Sequence, residues 1–329
     1  MPRYGEEDYE SYERPRRHTR PRTKERPSYD DAEPAVVVTV DRGRYTCLTE
    51  RVPGSAPHPV VAMKSRPLGR KGVVVGDRVG LVGDTTGSEG SLARIVTVAE
   101  RSTMLRRTAD DDDPVERVIV ANADQLVVVT ALADPEPRPR LIDRALVAAY
   151  DAGMDPLLVL TKSDLASPDA LVEAYRPLGV PFEVTRRGAD VSAIAGRLDG
   201  RQSVMLGHSG VGKSTLVNAL VPDAGRLTGG VNAVTGRGRH TSTSAVMLAL
   251  PSGGWIVDTP GIRSFGLAHV RPDHLIEAFP DLHDLTLDCP RGCTHGESEP
   301  ECGLDAAPPE LEARVGSFRR LLASREASP

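Results

Sequence analysis

Ser203-Val204-Met205-Leu206-Gly207-His208-Ser209-Gly210-Val211-Gly212-Lys213-Ser214-Thr215 sets the architecture of this chain. A short apolar run enters G-x-x-x-x-G-K-S, and a periodic segment, 213–220, leaves it. Strand, glycine loop and helix in that order are what phosphate binding requires. Glycines let successive backbone N–H groups curl around phosphate oxygens, and the helix N-terminus adds its positive dipole end. In such a loop Gly207, Ser209, Gly210, Val211, Gly212 and Thr215 surround the phosphates. Lys213 reaches the β- and γ-phosphates, and the Ser214 hydroxyl ligates Mg²⁺.

Upstream, strand and helix patterns alternate. Apolar runs at 125–130, 157–160 and 182–184 read as strands, and 139–152, 168–178 and 191–198 as helices. Continuous apolar strands separated by helices predict an α/β fold with a parallel sheet covered on both faces. Downstream, 244–250 and 255–257 flank Pro251-Ser252-Gly253-Gly254, a hairpin that predicts one antiparallel edge.

Two further motifs complete a nucleotide site. Asp258-Thr259-Pro260-Gly261 ends the hairpin, placing Asp258 to contact Mg²⁺ through water and the Gly261 N–H to meet the γ-phosphate. Thr161-Lys162-Ser163-Asp164 follows an apolar strand. An aspartate there accepts two hydrogen bonds from guanine, from N1–H and the exocyclic amine, a pattern adenine cannot offer. The Lys162 stem can stack on the base. Thr161 stands where GTPases usually carry asparagine, which predicts weaker bracing of the loop but the same base choice. The order is unusual: Asp164 precedes Lys213 by 49 residues, the reverse of an ordinary GTPase.

The 329 residues allow about two domains. No apolar run is long enough to span a membrane, and no apolar signal segment follows Met1, so a cytoplasmic protein is expected. The formal charge of −5 argues against a uniformly basic coat, yet 14–26 holds seven basic residues against Glu25. That run either grips phosphate backbones or is simply a solvated part of a disordered tail, 1–34. From about residue 35, short β-branched runs at 36–40, 45–48, 60–62, 73–75 and 95–98, punctuated by Gly and Pro, predict a small barrel of OB type. The acidic run 110–113 marks a loop or domain boundary.

Three of the four cysteines crowd into Cys289-x3-Cys293-x-His295-x6-Cys302. Three thiolates and an imidazole suit a closed tetrahedral Zn²⁺ site, in a segment too poor in apolar residues to fold without a staple. Free loop cysteines are the alternative. Cys47, in an apolar strand, reads as buried. Leu311, Val315, Phe318 and Leu322 make a helical stripe; Arg314, Arg319, Arg320 and Arg325 are left either to contact RNA or to a helix that merely docks.

A permuted GTPase with a barrel ahead of it and a Cys/His cluster behind it resembles the ribosome small-subunit-dependent GTPase A family. The resemblance is carried by Val75-Gly76-Asp77-Arg78-Val79, Asn122-Ala123-Asp124-Gln125, residues 207–215, Gly238-Arg239-His240-Thr241 and Asp258-Thr259-Pro260-Gly261. It runs from about residue 35 to the end. It implies an OB-fold RNA-binding domain (35–112), a circularly permuted GTPase domain (113–268) and a small helical zinc-binding domain (269–329). It implies hydrolysis of GTP to GDP, with Mg²⁺, stimulated by the small ribosomal subunit late in its maturation. The implied partners are that subunit and its rRNA, with one zinc per chain, no membrane and a monomeric state. Ile262 follows Gly261 where many GTPases place a water-orienting glutamine, so slow intrinsic turnover is expected. By resemblance His240 positions the water, and one of Thr241, Ser242 and Thr243 supplies a hydroxyl to Mg²⁺; a solvent-exposed loop histidine is the alternative for His240. The rivals are a permuted GTPase of large-subunit assembly and an RNA-binding scaffold with weak turnover.

Overall fold

Short β-branched runs that alternate inward and outward curl on themselves when their inner face is small and apolar. The computed structural model describes residues 29–49, 57–68, 72–107, 117–222, 245–259, 267, 270 and 272–326. Five of its strands, β1 (Glu33–Asp41), β2 (Arg44–Thr49), β3 (Pro59–Lys64), β4 (Arg78–Gly83) and β5 (Ala93–Val98), close a barrel in the order β1-β2-β3-β5-β4-β1. Only β3 and β5 run parallel. Ala35, Val37, Cys47, Val60, Ala62, Leu81 and Ile95 fill its interior. Burial pushes the Cys47 thiol up to about 12, so it behaves as a small apolar side chain.

One expected strand is not there. Val73 and Val75 are buried, but 73–75 makes only a single bridge, Val75 to Val120, before the chain turns at Gly76. The fourth barrel strand is β4, whose Gly80 and Gly83 interrupt the alternation that would have announced it. Between barrel and core, β6 (Met104–Arg107) and β7 (Arg117–Ala121) pair antiparallel; the acidic run 110–113 between them lies outside the described residues, as does the proposed tail up to residue 28.

The seam from barrel to core is built of polar groups with no freedom left. Asp77 is fully buried and takes a bidentate pair from Arg101, Nε at 2.7 Å and Nη2 at 2.8 Å, plus the Val74 N–H at 2.8 Å. Asn122 donates from Nδ2 to the Gly76 carbonyl at 2.9 Å and accepts the Ser102 N–H at 2.9 Å. The 75–79 and 122–125 stretches that carried the resemblance are therefore the two sides of this joint.

Beyond it, β8 (Gln125–Ala131) is buried at every residue. It pairs parallel with β9 (Asp155–Thr161) on one side and β11 (Gln202–Leu206) on the other. β10 (Phe182–Val184) extends the sheet past β9, and β13 (Trp255–Asp258) lies parallel beside β11. Alternate side chains serve opposite faces. Val127, Val129, Leu157 and Val159 pack with α3 (Ser192–Leu198) and α4 (Lys213–Leu220). Leu126, Val128, Leu158 and Leu160 pack with α1 (Pro139–Asp151), while α2 (Asp169–Tyr175) follows β9. The periodicity-based helices are thus present, the one at 168–178 ending in a 3₁₀ turn. The chain closes with α5 (Pro272–Glu277), α6 (Pro280–His283) and α7 (Glu312–Glu326), which lies against α1.

The hairpin strand β12 (Val246–Ala249) is antiparallel to β13, as its sequence predicts. It is not an edge, however. β1 of the barrel pairs with it at Thr39 and Val246, so among the described residues one hydrogen-bonded sheet of eleven strands runs from core into barrel. The β1–β2 register shifts between Val37 and Thr39, beside the residue through which β1 pairs with β12.

Gly76 shows how tight the joint is. Its φ is +88°, and an added Cβ would lie 2.1 Å from the Ala121 carbonyl oxygen and 2.6 Å from Gln202 Nε2. Gly76→Ala should cost about 3 kcal/mol of stability, read as a lower urea midpoint. An unchanged midpoint would contradict this account of the seam.

Candidate nucleotide site and metal cluster

Parallel strands deliver their following loops to one edge of the sheet, and ligands of open α/β sheets bind there. The loops after β9, β10, β11 and β13 line a cavity of about 840 Å³. Thr161, Lys162, Gly207, Ser209, Gly210, Gly212, Lys213, Ser214, Thr215 and Asp258 are all on its wall. Gly212, with φ +91°, caps α4 in a left-handed conformation costly for any residue with a Cβ. That turn leaves the first N–H groups of α4 facing the cavity, the arrangement that binds phosphate oxygens.

Two loops far apart in sequence are fastened together. The buried Thr161 hydroxyl donates to the Val211 carbonyl at 2.5 Å, with the Thr130 carbonyl 3.3 Å away. Threonine in place of asparagine still braces the loop, since its shorter side chain reaches the phosphate loop directly. Val211 itself is buried beneath the loop and not on the cavity wall. Lys213 forms an ion pair with Asp258 and donates to the Thr259 carbonyl at 2.8 Å. The Thr259 hydroxyl donates to Met205 O at 2.8 Å, tying the 258–259 turn to β11. Lys162 donates to the Asp134 carbonyl. Asp164 is exposed just beyond the lining residues. His240, Thr241, Ser242 and Gly261 lie outside the described residues.

Sequence reading missed part of this wall. Arg186, Arg187, Gly188 and Ala189, following β10, line the same cavity. The available signal was positional, since any loop after a parallel strand arrives at this edge. His208 was also passed over. It is buried, its Nδ1 lies 3.0 Å from the Ser209 carbonyl, and its Nε2 has no hydrogen-bond partner among the described residues.

The second cluster is at the C-terminal end. One ligand atom from each of Cys289, Cys293, His295 and Cys302 lies within 4.8 Å of the others. His295 Nδ1 is 3.8, 3.5 and 3.8 Å from the three sulfurs in that order. Tetrahedral Zn²⁺ with Zn–S near 2.3 Å and Zn–N near 2.05 Å requires an S···N separation of about 3.6 Å. The donor set and its spacing therefore fit zinc. The Gly303 N–H donates to Cys289 Sγ at 3.1 Å, as to a thiolate. Burial, then the Cys302 and Cys289 sulfurs, hold the Cys293 thiol up at about 11, so at neutral pH it ionises only where a cation takes up its charge.

Of the helical stripe, Val315, Phe318 and Leu322 are buried on α7 and Leu311 is half-buried in the 3₁₀ turn before it, while the described arginines of α7 contact neighbouring elements. Arg314 donates to Pro177 O at 2.8 Å and Asp281 at 3.1 Å, its guanidinium 5.2 Å from the Phe279 ring centroid. Arg320 reaches Asp143 at 3.4 Å and stacks 5.0 Å from the Tyr175 ring. Burial outweighs Arg320 and leaves the Asp143 carboxyl above its usual range. These side chains dock the helix. Among the described residues no helix is long and apolar enough to cross a membrane.

Comparison with known proteins completes the picture. The family described as RsgA GTPase matches residues 98–268. The chain belongs to this family. A Pseudomonas putida protein named small ribosomal subunit biogenesis GTPase RsgA is 42% identical over 264 residues, 77% of this chain and 75% of its own. A Pseudomonas aeruginosa protein of the same name is 44% identical over 218 residues, 63% of this chain and 64% of its own. Among solved structures, YjeQ from Thermotoga maritima has a TM-score of 0.63 at 27% identity, covering 89% of this chain and 98% of its own. YloQ, described as a circularly permuted GTPase, has a TM-score of 0.64 at 23% identity, covering 91% and 96%, and shares the fold.

In this RsgA-family chain Thr161→Val keeps the side-chain volume but leaves the Val211 carbonyl unpaired beneath the phosphate loop. We expect a loss of about 1–2 kcal/mol, measured as roughly tenfold weaker GDP binding by fluorescent-nucleotide titration; Thr161→Asn should recover most of it.

Proposed function

We propose that this chain is a GTPase of small-ribosomal-subunit maturation that hydrolyses GTP to GDP and phosphate and is stimulated by the subunit. The observation that carries the reading is the joining, through Thr161 and Val211, of a guanine-type loop to a phosphate loop on a sheet entered in permuted order. The names of the relatives supply the ribosomal context.

Asp164 reads the guanine edge, with Thr161 and Lys162 holding that loop. The backbone from Gly207 to Thr215, through Ser209, Gly210, Val211 and Gly212, cradles the phosphates. Lys213 exchanges Asp258 and the Thr259 carbonyl for phosphate oxygens, so a buried cation keeps anionic partners throughout. Ser214, Asp258 and one hydroxyl of Thr241, Ser242 or Thr243 would hold Mg²⁺, which would offset charge on the β- and γ-phosphates. The Gly261 N–H meets the γ-phosphate. His240 orients the attacking water, a task Ile262 cannot perform, and the subunit sets that loop in place. Cys289, Cys293, His295 and Cys302 hold one structural zinc. The barrel (35–112), permuted GTPase core (113–268) and zinc region (269–329) act as one cytoplasmic monomer, with barrel and zinc region against rRNA.

GTP turnover measured alone, with purified small subunits and with large subunits tests this. Small subunits should raise the rate at least tenfold; no effect from either overturns the proposal, and stimulation by large subunits alone favours a role in their assembly. Lys213→Ala should abolish turnover. His240→Ala should keep nucleotide binding and lose about a hundredfold or more of the stimulated rate. Metal analysis should find one zinc per chain in the wild type and none in Cys293→Ala.

A further inference from the structure

One side chain ties the metal-cluster loop to the helix that closes the chain. Arg319 of α7 is largely buried, with 14% of its side chain exposed. Its Nε donates to the His295 carbonyl at 3.3 Å and its Nη2 to Asp305 Oδ1 at 2.6 Å. The same guanidinium lies against the Cys302 thiol. A planar fork can meet three groups at fixed angles, which a lysine ammonium on a flexible stem cannot do.

What it holds is costly. His295 has φ +61°, the left-handed region that side-chain-bearing residues rarely enter. That turn is what brings Nδ1 within 3.5–3.8 Å of three sulfurs. Three thiolates and a neutral imidazole around Zn²⁺ also carry a net charge of −1, with the Asp305 carboxylate close by.

We propose that Arg319 is the positioning residue of the metal site. Through the His295 carbonyl it fixes the turn that presents Nδ1, and its charge balances the thiolate-rich cluster. Asp305 anchors the outer amine, so the guanidinium stays aligned. In this site the backbone of a ligand residue is itself held, through the His295 carbonyl. The inference rests on the zinc reading above and adds an outer residue to it.

The test is zinc transfer from the full-length protein to a chromogenic chelator, 4-(2-pyridylazo)resorcinol, with Co²⁺-substituted spectra alongside. Arg319→Ala should release zinc ten- to a hundredfold faster than wild type and alter the tetrahedral Co²⁺ bands. Arg319→Lys, which keeps the charge without the fork, should fall between the two. Arg314→Ala unfastens the same helix at Pro177 and Asp281, away from the metal, and should release zinc at the wild-type rate. A wild-type rate in Arg319→Ala overturns the proposal, as does an equal acceleration in Arg314→Ala, which would make helix docking the cause. Should Arg319→Ala lose helix content by circular dichroism, the lysine variant decides: a wild-type rate there overturns the proposal. Wild-type protein that binds no zinc overturns the zinc reading itself, separately from the role of Arg319.

Discussion

β8 hydrogen-bonds in parallel to β9 and to β11 at once, and the position of every loop in the nucleotide site follows from that pairing. Parallel neighbours end at the same edge. Residues 161–164 and 207–214, remote in sequence and in reversed order, therefore emerge side by side. Chain order is irrelevant to this geometry, because the sheet reads only which strands are neighbours. The price is that β8 must be buried on both faces, and it is. Once the two loops are adjacent, a single hydroxyl on Thr161 suffices to lock them.

The barrel is joined to this core by two unlike devices. One is the seam of Asp77, Arg101, Gly76 and Asn122, where a buried carboxylate is fully paired and one glycine admits a carbonyl at contact distance. Removing one partner from such a pair leaves a desolvated charge, so the seam tolerates little variation. The other is the backbone pairing of β1 with β12, which needs no particular side chains. The first fixes the angle of approach, and the second makes the sheet continuous.

Much of the fold was legible because its core strands carry continuous apolar runs and its helices carry periodic stripes bounded by Pro and Gly. The phosphate loop, the guanine-type loop and the Cys3His set were legible as motifs. What escaped was set by tertiary context. Val73 and Val75 are β-branched and buried, yet the segment makes only the single bridge from Val75 to Val120 of β7 and forms no strand of its own. β4 was hidden by Gly80 and Gly83. The apolar hairpin looked like a sheet margin because nothing in β12 announces β1 as its neighbour. Arg186 and Arg187 carry no motif, only a place after β10. The arginines of α7 could be read for RNA from composition; only packing shows that Arg314 and Arg320 spend their charge on Asp281 and Asp143.

The docking of α7 on α1 bears on how the chain is made. The barrel closes within the first 98 residues, and α1 follows at Pro139–Asp151. Its cover, α7, begins only at Glu312. During synthesis the apolar face of α1, including Ile142 and Leu146, must wait for Phe318 and Leu321 at the far end of the chain. Tyr150, Phe279 and Phe318 then meet edge to face in sequence, with ring centroids 4.9 and 5.4 Å apart. A nascent chain that has completed its nucleotide site still exposes a greasy helix, and the last fifteen-residue helix is the element that retires it from chaperones and proteases.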